Sequence, residues 1–122
     1  MSDRRRMIIT GVSSGIGLAI SAEALRLGWY VEGIGRNAPA LLTAHPRGSF
    51  TTCDLSDRTA LSGLRLAEDQ SCELTVLVNN AGTLGPVKPG KNASWEEIDH
   101  CITLNTSGAM LLSAKFLREV AG

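Results

Sequence analysis

Aromatic side chains are scarce: two tryptophans, two phenylalanines and one tyrosine in 122 residues. So few rings exclude a stacking platform for nucleic-acid bases. A surplus of one charge is also lacking, because 12 basic residues balance 12 acidic ones, and a polyanion binder needs a basic surface. The one dense basic run, Arg4-Arg5-Arg6, reads as a solvated cap ahead of the first strand, not as a nucleic-acid arm. Cysteine is limited to Cys53, Cys72 and Cys101. An odd number without C-x-x-C spacing argues against a disulfide framework or a metal site and reads as a reducing cytoplasm. No apolar run approaches about 18 residues, so no segment reads as a membrane span. The short apolar stretch after the arginines is too brief for a secretory signal.

What is present is glycine (13 residues) and a 43% hydrophobic share, enough for one packed domain over 1–122. Four short apolar runs alternate with helical patterns. Met7-Ile8-Ile9-Thr10 reads as a strand buried on both faces, Tyr30 to Gly35 and Phe50 to Cys53 as a second and a short third strand, and the apolar run Leu74 to Val78 as the clearest strand. Between them lie helices expected over 15–27 with Gly28 as the stop, over 38–44, and over 58–68 with Asp57 as N-cap. After a loop rich in Gly, Pro and Asn, Ser94-Trp95-Glu96-Glu97 forms a capping box. The helix behind it runs to about Val120, with a stripe of Trp95, Ile98, Ile102, Asn105, Ala109, Leu112 and Phe116. This alternation predicts an α/β fold: a parallel sheet with right-handed crossovers, without repeats or an internal linker.

Thr10-Gly11-Val12-Ser13-Ser14-Gly15-Ile16-Gly17 joins a buried strand to a helix start. A helix start offers free N–H groups to phosphate, and glycines let a pyrophosphate approach the backbone. The spacing is GxxxGxG, not GxGxxG, and no P-loop lysine follows. Such a turn is either structural or a phosphate cradle. At the tip of the second strand stands Gly35-Arg36-Asn37, with no acid in place. There a carboxylate selects the ribose hydroxyl of NAD and an arginine accepts the 2′-phosphate of NADP; the other reading of Arg36 is an ordinary surface arginine. Asp54 is either an acceptor for an adenine amino group or a turn residue. Asn79-Asn80-Ala81-Gly82 sits at the carboxyl end of the fourth strand, where ligands bind in open α/β sheets. Its asparagines can bridge backbone groups between strands. Asn105, amid the apolar stripe, reads as a buried amide, with a local kink from Thr106, Ser107 and Gly108.

Together, Thr10-Gly11-xxx-Gly15-Ile16-Gly17, Asp54-Leu55, Asn79-Asn80-Ala81-Gly82 and Asn105 resemble the short-chain dehydrogenase/reductase family, in order and spacing and over essentially the whole chain. The run from Leu77 to Gly85 also resembles the sepiapterin/benzil reductase branch. The resemblance implies a Rossmann-like doubly wound sheet ordered 3-2-1-4 over this stretch. It implies Gly11, Ser13, Ser14, Gly15, Ile16 and Gly17 at the pyrophosphate and Asp54 and Leu55 at adenine. Asn80, Ala81 and Gly82 would line the ribose side, and Asn105 would be the catalytic asparagine holding a proton-relay water. With Arg36, it implies an NADP(H)-dependent reductase of a small carbonyl substrate. The departure is the missing Ser and Tyr-xxx-Lys: the one tyrosine is Tyr30, four residues before Ile34, and the lysines are Lys88, Lys91 and Lys115. The chain is therefore expected to be the cofactor-binding half of such an enzyme, inactive alone and prone to homo-oligomerise through an uncovered fourth strand. The alternative is a non-catalytic nucleotide-binding or interaction module.

Overall fold

A computed structural model describes residues 4–66, 72–83 and 88–120. Within them the apolar runs become β1 (Arg5–Thr10), β2 (Tyr30–Gly35), β3 (Gly48–Thr52) and β4 (Leu74–Val78). All pairs are parallel and the order is β3-β2-β1-β4, the order the resemblance implies. On β1, Ile8 lies opposite Glu32 on one side and Leu77 on the other.

Side-chain alternation along the central strand sends neighbours to opposite faces. Ile8 joins Ile34, Leu55, Leu61 and Leu112 in one apolar cluster, whereas Ile9 joins Val12, Val31, Leu25 and Leu42 in the other. The second face is covered by α1 (Gly15–Arg26) and α2 (Ala40–Thr43), the first by α3 (Arg58–Gly63) and α5 (Ala109–Glu119), which follows α4 (Trp95–Ile102). Ile8 and Ile9 are both fully buried, as expected for a strand flanked on both faces.

Helix starts are legible. The Asp57 carboxylate accepts the N–H groups of Thr59 and Ala60, and Ser94 and Glu97 form the reciprocal capping box. Helix ends differ from expectation. α3 stops at Gly63, where Leu64 turns extended while staying buried; Ser62 and Gly63 hold a helix poorly. Positions 67 and 68 of the expected helix lie outside the described residues. The long last helix is interrupted by a π-helical stretch, Thr103–Gly108, between α4 and α5. Its apolar stripe buries Leu112 only in its second half; Trp95, Ile98 and Ile102 are exposed. No helix among the described residues is long and apolar enough to cross a membrane.

The arginine run is not a solvated cap. Arg5 and Arg6 are part of β1, and Arg6 is buried with its guanidinium 3.5 Å from the Glu32 carboxylate. Arg4 stacks over Tyr30 and Arg5 over Trp29. A strand edge that carries two rings recruits flat cations onto them, which periodicity alone does not show.

A polar bridge ties α5 to the segment after α3. Lys115, buried, pairs with Glu119 at 3.2 Å and donates to the Ser62 carbonyl. Glu119 Oε1 accepts the Leu66 N–H at 3.1 Å. The Leu66 N–H, followed by Lys115, holds the Glu119 carboxyl below the usual range. A carboxyl lowered on folding adds stability above its unfolded pKa and loses it as pH falls through the folded one. Glu119→Ala is expected to cost more than Glu119→Gln, which keeps an acceptor for Leu66; that hydrogen bond is worth about 1 kcal/mol. Urea melts at neutral pH should show this order, and the gap between the wild type and Glu119→Gln should close in acid.

Candidate nucleotide-binding cleft

Beyond the carboxyl ends of the strands lies a cavity of about 310 Å³. One wall is the turn from β1 into α1. Gly11 and Gly15 have φ of +69° and +60°, a region that L side chains rarely adopt. A Cβ on Gly15 would meet nothing within 4 Å, so the turn is open there. Ser13 and Ser14 line the cavity. Ser14 takes the N-cap position but makes no side-chain cap, and no acid occupies the first turn of α1. Among the described residues the start of α1 thus has no side-chain cap, which suits an anion.

Gly17 works differently from its neighbours. It is buried outside the cavity lining, and a Cβ there would run into the Gly11 carbonyl oxygen and the Asn80 amide. Gly17→Ala is expected to cost about 3 kcal/mol, the upper end of overpacking, and to weaken any ligand at the turn; chemical denaturation and calorimetry check both. Ile16 is 72% exposed and, like Gly15, stands outside the cavity lining.

The opposite wall is the end of β4. The buried Thr10 hydroxyl accepts both the Asn80 N–H, at 3.0 Å, and the Ala81 N–H, at 2.9 Å. Asn80 Nδ2 donates to the Gly11 carbonyl at 2.9 Å. Asn80 therefore straps the glycine turn to β4, and Ala81 and Gly82 present a low surface to the cavity. Asn79 Nδ2 donates to Ser113 Oγ, which donates on to the Ala109 carbonyl. Asn80 thus holds a backbone group at the end of the neighbouring strand, whereas Asn79 reaches a side chain on α5 and not a strand backbone.

At the far end stand Gly35, Arg36 and Asn37 from β2, and Cys53, Asp54 and Leu55 after β3. Arg36 is exposed. Asp54 Oδ1 accepts the Ser56 N–H at 2.9 Å and the Ser56 hydroxyl at 2.6 Å. These bonds, helped by the charges of Arg36 and His100, hold its carboxyl below the usual range. Both sequence readings of Asp54 are thus compatible: Oδ1 makes the turn, while Oδ2 carries no hydrogen bond among the described residues. Burial, followed by Asp54 and Asp57, pushes the Cys53 thiol up. Val12, Asn37, Cys53, His100 and Leu104 also line the cavity without having been singled out from the sequence. The four-residue spacing of His100 and Leu104 was the available signal for that pair.

Asn105 is exposed, not buried. Its amide is nevertheless engaged: Oδ1 accepts the Thr83 N–H at 2.8 Å, and Nδ2 donates to the Thr83 carbonyl at 2.7 Å and to Cys101 Sγ at 3.4 Å. It lies in the π-helical stretch, where a kink was expected, beside Gly82, whose Cβ would come within 3.2 Å of Oδ1. It does not line the cavity. Tyr30 is remote from all of this. It sits at the opposite, amino-terminal edge of the sheet, between Arg4 and Arg47, beside a second cavity of about 290 Å³.

A family model described as short chain dehydrogenase matches residues 5–122. The chain is 42% identical over 127 aligned positions to a 1-deoxy-11-beta-hydroxypentalenate dehydrogenase of Streptomyces arenae, covering 95% of this chain and 44% of that protein. It is 32% identical to a benzil reductase ((S)-benzoin forming) of Bacillus subtilis, covering 93% of this chain and 48% of that protein. The chain thus spans less than half the length of these two curated relatives. A crystal structure of a short-chain dehydrogenase/reductase from Burkholderia vietnamiensis superposes with a TM-score of 0.85 at 27% identity, covering 98% of this chain and 60% of that one. Two more distant structures share the fold. One is a Leptospira borgpetersenii short chain dehydrogenase with bound NAD+, at TM-score 0.79 and 23% identity, covering 96% of this chain and 46% of that one. The other is a serine dehydrogenase complexed with NADP+, at TM-score 0.76 and 24% identity, covering 93% and 48%.

Proposed function

The chain belongs to the short-chain dehydrogenase family of oxidoreductases, and on that premise we propose that it is the NADP(H)-binding portion of an enzyme that reduces a ketone, aldehyde or diketone. The observation that carries the cofactor choice is Arg36 on the cavity wall at the tip of β2, where the chain places no Asp or Glu. The residues fit a dinucleotide: an uncapped helix start, a glycine whose missing Cβ opens onto space, and a cleft that ends on Asp54.

In this reading the Gly11–Ser14 turn and the start of α1 hold the pyrophosphate through N–H groups and hydroxyls. Arg36 meets the 2′-phosphate, Asp54 Oδ2 accepts from the adenine amino group, and Leu55 packs on the base. Ala81 and Gly82 let the ribose approach the backbone. The bound cofactor supplies a hydride. Asn105 fixes Thr83 and keeps a second lone pair on Oδ1 for a proton-relay water. Calorimetry with the chain should find NADPH bound at least about tenfold more tightly than NADH; equal affinities would overturn the assignment. The odd cysteine count without C-x-x-C spacing supports a reducing, cytoplasmic setting.

The same reading includes self-association. β4 pairs only with β1 among the described residues, and Ile102, Met110, Leu111 and Leu117 are exposed. An unpaired apolar strand edge recruits a partner, so light scattering at high micromolar concentration should report a dimer or larger. A stable monomer speaks against it. A second reading, a nucleotide-binding module without catalysis, is favoured by the distance of Tyr30 from the cleft.

A further inference from the structure

Among the described residues the cavity is lined by glycines, small polar groups, aliphatic side chains, one arginine and one ring, the imidazole of His100. That ring reaches the cavity from α4, and Leu104 lines it four residues later. From the segments after β2 and β3 come Arg36, Asp54 and Leu55, and Leu104 packs against the apolar cluster that contains Leu55. His100 is close enough for its charge to act on the Asp54 carboxyl. A flat, exposed ring beside two leucines is the kind of surface on which a base is held by its face.

We infer that His100 is the residue on which the adenine ring of the dinucleotide stacks, with Leu55 and Leu104 as its apolar flanks. This rests on the dinucleotide reading of the cleft but not on the choice between NADP and NAD. The base presents its amino edge to Asp54 and its face to the imidazole, so the two residues read different parts of one ring. Stacking requires a ring and no particular proton. A phenylalanine replaces His100 in that role, whereas a glutamine, which forms hydrogen bonds but offers no aromatic face, does not.

The test is calorimetric titration of the full chain and of His100→Ala, His100→Gln and His100→Phe with NADPH, NADH and 2′,5′-ADP, which carries the adenosine end alone. Because His100 is exposed, none of these changes disturbs the core. Alanine and glutamine are each expected to lose about tenfold in affinity for all three probes, within the range for one base–aromatic stack, and phenylalanine to keep wild-type affinity. Glutamine binding like the wild type while phenylalanine loses affinity would overturn the stacking. So would three variants indistinguishable from the wild type, or a wild type with no affinity for 2′,5′-ADP. If the wild type binds NADH and NADPH alike, the Arg36 reading fails, yet an equal loss for both in His100→Ala still supports the stack.

Discussion

Purified as these 122 residues, the chain is expected to leave NADPH unoxidised in the presence of aldehydes, ketones and diketones. Carbonyl reduction needs a proton donor within hydrogen-bond reach of the developing alkoxide. The single tyrosine is on β2 beneath two guanidinium groups, at the end of the sheet opposite the cleft. Lys88 pairs with Glu97, and Lys115 is buried against Glu119; neither accompanies a tyrosine. The Asn105 amide is occupied with Thr83 and can orient a water without supplying an acid. A positioned general acid contributes about 10²–10⁴-fold. The absorbance of reduced nicotinamide, followed with a panel of carbonyl compounds, checks this. Turnover that disappears in Asn105→Ala or Tyr30→Phe would show that the assignment is wrong.

The double variant Gly35→Asp, Arg36→Ile should invert the cofactor preference. On the NADP(H) proposal the Arg36 guanidinium meets a phosphate dianion, and charge-assisted bonds of this kind contribute roughly 1.5–3 kcal/mol. Removing it discards that contribution for NADPH. The new carboxylate repels the 2′-phosphate and accepts from the ribose hydroxyls of NADH, a further contribution of similar size. The swing is about 3–6 kcal/mol, or roughly 10²–10⁴ in the ratio of dissociation constants. Position 35 tolerates the change: a Cβ on Gly35 would lie 3.8 Å from the Phe50 ring, an ordinary contact, and the glycine has no positive φ. Unchanged affinities for both cofactors would mean that Arg36 does not face the adenosine end.

Much of this was legible before the fold was known, and the residues say why. β1 and β4 are apolar runs followed by glycine or asparagine, so each reads as a strand, although only β1 has fully buried residues and β4 is half-buried at the sheet edge. Asp57, Ser94 and Glu97 announce helix starts through local hydrogen bonds, which sequence records directly. Helix ends were less clear because they depend on what is packed nearby. α3 stops where Leu64 is drawn into the core, and the break after Ile102 coincides with Asn105 reaching for the Thr83 backbone. Arg6 and His100 were missed for a shared reason. One gains its partner across β1 and β2, the other its neighbours across the cleft, and a single chain's periodicity carries no such cross-strand information.

The Thr10 hydroxyl and the Asn80 strap join positions 69 to 71 residues apart. Contacts so distant along the chain carry a large loop-closure cost and tend to form late in folding. The cleft therefore has no existence in a chain that has assembled β1, β2 and β3 alone; it comes into being with the docking of β4. Any ligand that spans both walls binds only the finished fold and acts as a latch on its last step. At a hundredfold excess over its dissociation constant such a ligand adds about 2.7 kcal/mol against unfolding. For this chain, filling the cleft and stabilising the native sheet against unfolding are one linked equilibrium seen from two ends.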